Sequence, residues 1–206
     1  METQKQRIEL KKYEDSVHKR FRNYKWILCG IFAGVSLLFI ALTLSYYISH
    51  DKQQQVSIRF TLLTYINTFT FLFSSILIEL AHKQFFKNNH RQYKRFISGS
   101  IALGILFITS QIISCVMMYI DGQTFSYNSA SYYYIIAGIH ISFIAFGLIT
   151  WCIHLVKHWN ILSNYATSFV YFTDSIAKSK LNLFTFYWHF LGIIWLYLLL
   201  FFLAIK

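Results

Sequence analysis

Five long apolar runs, separated by polar segments, dominate the hydrophobic pattern of this 206-residue chain. A helix needs about 20 apolar residues to cross the roughly 30 Å hydrocarbon layer of a bilayer. Backbone groups in lipid must be hydrogen-bonded within their own segment, so each run is predicted to be α-helical. The predicted spanning helices cover 26–48, 60–81, 96–119, 132–153 and 184–205. The pattern therefore predicts an all-α integral membrane bundle of five transmembrane helices.

Lysine and arginine are distributed unequally between the segments that separate these runs. The N-terminal tail, the segment after the second run and the segment after the fourth contain eight, five and three of them. The segment after the first run, the segment after the third and the C-terminal end contain two, none and one. Segments rich in positive charge stay on the cytoplasmic side of a membrane. The charge pattern therefore predicts an N-terminus inside and a C-terminus outside.

Composition agrees with a membrane protein and argues against nucleic acid as a partner. Hydrophobic residues make up 56% of the chain and charged residues 13%, whereas soluble domains carry about 25% charged residues. The formal net charge of +11 lies in the segments between apolar runs, as membrane topology requires. Cys29, Cys115 and Cys152 all lie inside apolar runs and are interpreted as small buried hydrophobic residues.

The chain divides into two regions by charge. Residues 1–25 are interpreted as a basic interfacial segment and residues 26–206 as the transmembrane domain. Apolar residues of the first region recur every three or four positions, at Leu10, Tyr13, Val17, Phe21 and Tyr24. This spacing predicts a helix lying on anionic lipid headgroups, and a solvated basic tail is the alternative. The first apolar run has no convincing small-residue cleavage site and is interpreted as a retained signal-anchor.

Glu79 is the one acidic residue inside an apolar run. An ionisable group in a spanning helix is a functional hypothesis by default. Glu79 is also predicted to lie within about one helical turn of the inner membrane boundary. There it could reach the headgroups or pair with Lys83 one turn further on. Its position is therefore compatible with a membrane-embedded functional acid and with an interfacial ion pair.

Four histidines raise the question of a bound metal or haem. His140 and His189 could be two axial haem ligands, but their helix positions put them about 10 Å apart in membrane depth. Two ligands of one iron must lie at nearly equal depth, so both are interpreted as hydrogen-bonded packing residues. His154 and His158 have the spacing of a metal-binding pair, without an evident third ligand. The sequence accordingly predicts no catalytic, cofactor-binding or metal-binding residue.

Three segments resemble subunit III of the haem-copper oxidases. Residues 186–199 read Phe-Tyr-Trp-His-Phe-Leu-Gly-Ile-Ile-Trp-Leu-Tyr-Leu-Leu and are similar to the family's Tyr-Trp-His-Phe-Val-Asp-Val-Val-Trp. Residues 132–143 resemble its Gly-x-His-Gly-x-His segment, and residues 74–82 resemble its Ser-rich run ending in Ala-His. The matching family positions are Gly138, His140, Tyr187, Trp188, His189, Phe190 and Trp195.

This resemblance implies a non-catalytic subunit that holds no haem or copper, both of which are expected in partner subunits. Members of the family pack against subunit I, bind phospholipids, and support proton uptake and stability of an oxygen-reducing, proton-pumping complex. The implied partners are subunits I and II, phospholipids and further respiratory-complex subunits. Bacterial members often have five helices, which favours the bacterial plasma (inner) membrane over the mitochondrial inner membrane. A cytochrome c oxidase is favoured, and a quinol oxidase is left open.

The chain departs from the family pattern, and two other functions stay open. No acidic residue lies in 26–48, where the family carries a buried Glu, and Gly192 stands where the family has Asp. These differences indicate a divergent member that is structural and lipid-binding more than proton-handling. A small transporter or channel would predict polar residues converging at mid-membrane, in helices broken by Pro and Gly, but the chain has no proline. A haem-b electron carrier would predict a haem spectrum in the isolated chain.

Overall fold

The structure, a computed structural model, describes residues 2–50, 62–126, 128–159, 169 and 171–205. Its long helices are α1 Glu2–His50, α2 Leu62–Phe86, α3 His90–Ile120, α4 Asn128–His158 and α5 Ser175–Ala204. Each contains a stretch that is long and apolar enough to cross a membrane. The prediction of an all-helical chain with five such helices is therefore confirmed for the described residues. The sides on which the two termini lie remain a prediction.

The helices extend beyond the predicted apolar runs because capping sets their ends. α3 begins at His90, earlier than predicted, after the Asn89 side chain accepts a hydrogen bond from an amide of the first turn. α5 begins at Ser175, also earlier than predicted, after the Asp174 carboxylate accepts such a bond at 2.9 Å. These acceptors satisfy amides that have no partner inside the helix. Hydropathy locates the part of a helix that crosses lipid, and the helix itself continues to its caps.

α1 continues as one helix from Glu2 into its apolar stretch Trp26–Ser49. At 1.5 Å per residue, the part before Trp26 is about 36 Å long. Of the predicted apolar stripe in that part, Tyr24 alone has a described side chain, and it is about half exposed. The placement of residues 1–25 on lipid headgroups stays a prediction.

α5 packs against α1, α2 and α4, and α4 packs against α1, α3 and α5. α2 and α3 form the closest pair. A short turn joins them, in which Asn88 adopts a φ of 56°, a conformation that asparagine tolerates better than most residues. The end of the bundle where α2 and α4 finish and α3 and α5 begin is called the basic end. It carries Lys83, Lys87, Arg91, Lys94, Arg95, Lys157, Lys178 and Lys180.

Glycines create the space that large side chains occupy between the helices. A Cβ atom at Gly104 of α3 would lie 2.8 Å from the Leu148 side chain and 3.0 Å from the Trp188 ring. A Cβ atom at Gly147 of α4 would lie 2.6 Å from the Tyr187 ring. Such distances are shorter than van der Waals contact, so α5 can approach α3 and α4 this closely only where those helices lack a side chain.

Other glycines fall into two groups. A Cβ atom at Gly99 or Gly192 would lie 3.1 or 3.0 Å from a side chain of α2. At Gly30, Gly34 and Gly138 it would meet nothing within 4 Å. Glycines in spanning helices commonly mark close helix contacts, but these last three lie outside such contacts among the described residues. α1 contacts the bundle along one face, and the Gly-x-x-x-Gly pair of α1 lies outside that face.

The cysteines also depart from the prediction in one case. Cys115 and Cys152 are partly buried, whereas Cys29 is exposed on α1. The interpretation of Cys29 as a buried residue is wrong because the main contacts of α1 among the described residues are with α4 and α5, which leaves the side of α1 that carries Cys29 uncovered. An apolar run in a membrane protein does not indicate which of its faces meets protein and which meets lipid.

Candidate functional site

Trp188 joins α5 to the α2–α3 pair at the centre of the candidate site. Its Nε1 donates a hydrogen bond to Ser74 Oγ at 3.1 Å, and its ring stacks on Phe71 with a centroid distance of 5.4 Å. Ser74 and Ser100 in turn donate to each other's backbone carbonyls at 2.9 and 3.0 Å. All of these side chains are buried. The serine pair lets α2 and α3 approach closely, and Trp188 fixes α5 against both.

Trp195 and His140 form a second contact between helices. Trp195 lies about two helical turns beyond Trp188 on α5. Trp195 Nε1 donates to Thr68 Oγ1 at 3.1 Å. The His140 ring stacks on Trp195 at a centroid distance of 5.4 Å, and its Nε2 lies 3.1 Å from the Leu191 carbonyl. His140 is fully buried, and its Nδ1 has no hydrogen-bond partner among the described residues. The imidazole therefore serves as a packing ring that joins α4 to the α5 backbone.

Tyr187 and Phe190 attach α5 to α4 and α1. The Tyr187 hydroxyl donates to the Phe143 carbonyl at 2.6 Å as the ring crosses Gly147. The Phe190 ring stacks on Phe32 of α1 at 4.2 Å. Of the residues that match the family pattern, all but Gly138 and His189 have now been placed in helix contacts inside the bundle. Gly138 is exposed on α4.

His189 lies apart, on the outer surface of the bundle, where it meets Glu79. His189 Nε2 is 3.7 Å from one Glu79 oxygen, and Lys83 Nζ is 3.6 Å from the other. The side chains of Glu79, His189 and Lys83 are 41%, 39% and 60% exposed. One turn nearer the basic end, His82 Nε2 lies 2.6 Å from Asn182 Oδ1. Glu79 has the neighbour that the sequence suggested, Lys83, and a second one, His189, that only the fold supplies.

The structure separates the two histidines that could have shared a haem. His140 is enclosed by the rings of Phe39, Phe107 and Trp195, at centroid distances of 6.2, 6.2 and 5.4 Å. His189 faces outward on the α2–α5 seam. His140 has the packing role that the sequence suggested. His189 departs from that interpretation, because it is 39% exposed and its contact to Glu79 is 3.7 Å long.

His154 and His158 lie at the basic end, against the turn that precedes α5. His154 Nε2 is 2.8 Å from the Tyr171 hydroxyl, and His158 Nδ1–H donates to the His154 carbonyl at 2.9 Å. Burial raises the pKa of Tyr171 to about 12. Among the described residues, no group of three or more His, Cys, Asp and Glu side chains could hold a metal ion. One nitrogen of each imidazole is thus occupied by a contact within the chain.

A buried polar network at the other end of the bundle was not predicted as a site. Asn67 Nδ2 donates to Gln111 Oε1 at 2.8 Å, and Gln111 Nε2 donates to the Tyr133 hydroxyl at 3.0 Å. Thr64 Oγ1 and Ser114 Oγ are 2.9 Å apart in the same region. The signal that could have found it is the presence of two amide side chains inside predicted spanning helices, since such groups need partners in lipid.

Substituting His140 by phenylalanine tests its role as a packing ring. The change removes an interhelical hydrogen bond of about 0.6–1.7 kcal/mol, but it also removes a buried nitrogen without a partner. We expect the free energy of unfolding in detergent to change by less than about 1.5 kcal/mol for His140→Phe and to fall by about 2–5 kcal/mol for His140→Ala, which leaves a cavity. Equal losses in the two variants, measured by denaturant titration, would contradict this role.

Comparison with known proteins gives one distant similarity. No protein-family profile matches the chain. Over 139 residues it is 29% identical to a protein of Alkalihalophilus pseudofirmus named cytochrome c oxidase subunit 3. The alignment covers 66% of this chain and 62% of that relative, so it spans less than two thirds of the relative's length. The similarity suggests a divergent relative of that subunit.

Proposed function

We propose that this chain is a non-catalytic subunit III of a respiratory haem-copper oxidase. In this role it packs against subunit I, binds phospholipid, and supports proton uptake and stability of a complex that reduces oxygen and pumps protons. Haem and copper reside in partner subunits, subunit II is a further partner, and other respiratory-complex subunits can join. The complex lies in a bacterial plasma (inner) membrane, with the N-terminus of this chain inside and residues 1–25 on the headgroups.

The observation that carries the proposal is that two of the sequence segments resembling subunit III both contact the third segment in the fold. Ser74 of the first segment accepts the hydrogen bond of Trp188 in the third. His140 of the second stacks on Trp195 of the third. If the segments resembled the family by chance, there would be no reason for their matching residues to form hydrogen bonds and ring contacts with one another. The similarity to a cytochrome c oxidase subunit 3 also supports the proposal, and its name favours cytochrome c over a quinol as electron donor.

The interior polar groups favour this proposal over a transporter or channel. A transport pathway would present polar groups to a space at mid-membrane. Ser74 instead pairs with Ser100, and Asn67 pairs with Gln111. Both pairs are buried between helices, where they stabilise packing.

Copurification tests the proposed function. The full chain, tagged and extracted in a mild detergent, is expected to bring with it a subunit that contains haem and copper, detected by a reduced-minus-oxidised spectrum and by metal analysis. Trp188→Ala is the matched control, since it should weaken the attachment of α5 to α2 and α3 and lower the yield of the complex. Recovery of the folded chain without any haem-containing partner would contradict the proposal. A haem spectrum in the isolated chain would instead favour an electron carrier.

A further inference from the structure

α5 exposes a stripe of side chains between the two helices that pack on either side of it. α1 packs against α4 and α5, while α2 packs against α3 and α5. The stripe between α1 and α2 contains His189, Ile193, Leu196 and Leu200, which recur at helical spacing on one face. Ile193 and Leu200 are each 65% exposed. This surface, flanked by α1 and α2 and floored by the four residues of α5, is called the α5 groove.

One end of the α5 groove is polar and holds opposite charges side by side. The contacts of Glu79 with Lys83 and His189 are 3.6 and 3.7 Å long, which is longer than a hydrogen bond. The carboxylate is 41% exposed and keeps the capacity to accept hydrogen bonds from a ligand. The Lys83 ammonium, 60% exposed, offers a positive charge next to it. Both residues lie near the basic end, about a turn or two from the end of α2 at Phe86.

We propose that the α5 groove binds a phospholipid whose headgroup carries a primary ammonium, a phosphatidylethanolamine. The ammonium donates hydrogen bonds to Glu79, the phosphate lies next to Lys83, and an acyl chain runs along Ile193 and Leu200. This proposal specifies which lipid the chain binds and where it binds. It rests on the proposed function only in assuming that the chain belongs to a membrane complex. Glu79 and Lys83 lie side by side and so match a zwitterionic headgroup, which carries both charges. A purely anionic headgroup would be repelled by the Glu79 carboxylate.

The length of the groove fits one lipid leaflet. From His189 to Leu200 the helix rises about 16 Å, which is close to half of the roughly 30 Å hydrocarbon layer. An acyl chain that starts from a headgroup at Glu79 would therefore follow the groove to about the middle of the membrane.

The side chains in the groove favour a lipid over a partner helix. Helices that pack tightly in membranes meet at small residues. The floor of the groove carries large branched side chains, and Phe186 at its edge is 56% exposed. A flexible acyl chain can follow such an uneven surface, whereas a second helix would be held away from the α5 backbone.

Lipid retention by the full chain tests the proposal. The protein is exchanged into nanodiscs of equal phosphatidylethanolamine, phosphatidylcholine and phosphatidylglycerol, re-extracted in mild detergent, and its bound lipid is quantified by mass spectrometry. We expect phosphatidylethanolamine to exceed phosphatidylcholine by about tenfold, the effect of charge-assisted hydrogen bonds that a trimethylated ammonium cannot donate. Glu79→Gln should remove most of this preference, and Lys83→Gln should lower retention of both lipids together. Asp121→Asn, which changes an exposed carboxylate at the other end of the bundle, should change neither.

Several outcomes would overturn the proposal. These are equal retention of the two zwitterionic lipids by the unmodified chain, preference for phosphatidylglycerol, or an unchanged preference in Glu79→Gln. Should Glu79→Gln fail to fold, His189→Gln, which alters the same cluster from α5, is expected to reduce the preference and would refute the site if it did not. Displacement of the lipid by soluble glycerophosphoethanolamine at equal concentration would also refute the groove, because the acyl chain would then contribute nothing. Lipid preference and copurification of a haem-containing partner are separate readouts, so failure of one leaves the other standing.

Discussion

Replacing Gly104 with leucine is expected to destabilise the folded chain by about 3 kcal/mol or more, the upper range for overpacking a tight interior. The new side chain would begin 2.8 Å from Leu148 and 3.0 Å from Trp188. Trp188 is 1% exposed and is held by Ser74 and Phe71, so it cannot turn away without breaking those contacts. The loss is measured as the free energy of unfolding in mixed detergent and as the yield of monodisperse protein.

The same substitution at Gly30 is the matched control. Gly30 also lies inside a spanning helix, but a Cβ atom there would meet nothing within 4 Å. Leucine is a better helix former than glycine, so Gly30→Leu should leave stability unchanged or raise it by about 1 kcal/mol. A Gly104→Leu variant as stable as Gly30→Leu would show that α3, α4 and α5 do not pack as described.

Replacing Gln111 with leucine is expected to lower the free energy of unfolding by about 2 kcal/mol. The substitution takes the acceptor away from the Asn67 amide and takes a donor away from Tyr133. Asn67 is fully buried among helices, and a buried donor without an acceptor costs about 1–3 kcal/mol. The measurement is reversible unfolding in detergent, followed by near-ultraviolet circular dichroism of the aromatic side chains.

A double-mutant cycle separates the hydrogen bond from the shape of the side chain. Asn67→Leu combined with Gln111→Leu removes both partners, so the double variant should lose less stability than the two single variants together. Thr109→Val on the same helix is the control, because Thr109 is exposed and its hydroxyl bonds only to its own helix backbone. Strictly additive losses in the cycle would refute the network as a coupled unit.

The helices themselves were predictable because lipid imposes a simple rule on every residue in them. A run of apolar residues of sufficient length must be helical, so the five elements follow from composition along the chain. The ends were not predictable by that rule, since Asn89 and Asp174 cap α3 and α5 beyond the apolar layer. Capping depends on one side chain and one amide. A hydropathy value averaged over many residues does not detect such a local feature.

One contact of Glu79 was predictable from the sequence, and another was not. Glu79 and Lys83 are four residues apart on one helix, so their proximity follows from helical periodicity. The approach of His189 to Glu79 does not, because it depends on how α5 rotates against α2. The same holds for Asn67 and Gln111, which lie on different helices.

Sequence alone determined that this chain is helical, that it contains five helices able to span a membrane, and which polar residues lie within the apolar runs. These properties depend on the transfer of residues from water to lipid, which each residue undergoes independently of its distant neighbours. Tertiary structure alone decided which glycines separate helices, which cysteine is exposed, and that His140 is enclosed while His189 is open. Those properties depend on helix rotation and close packing, and both are set by all of the contacting side chains together.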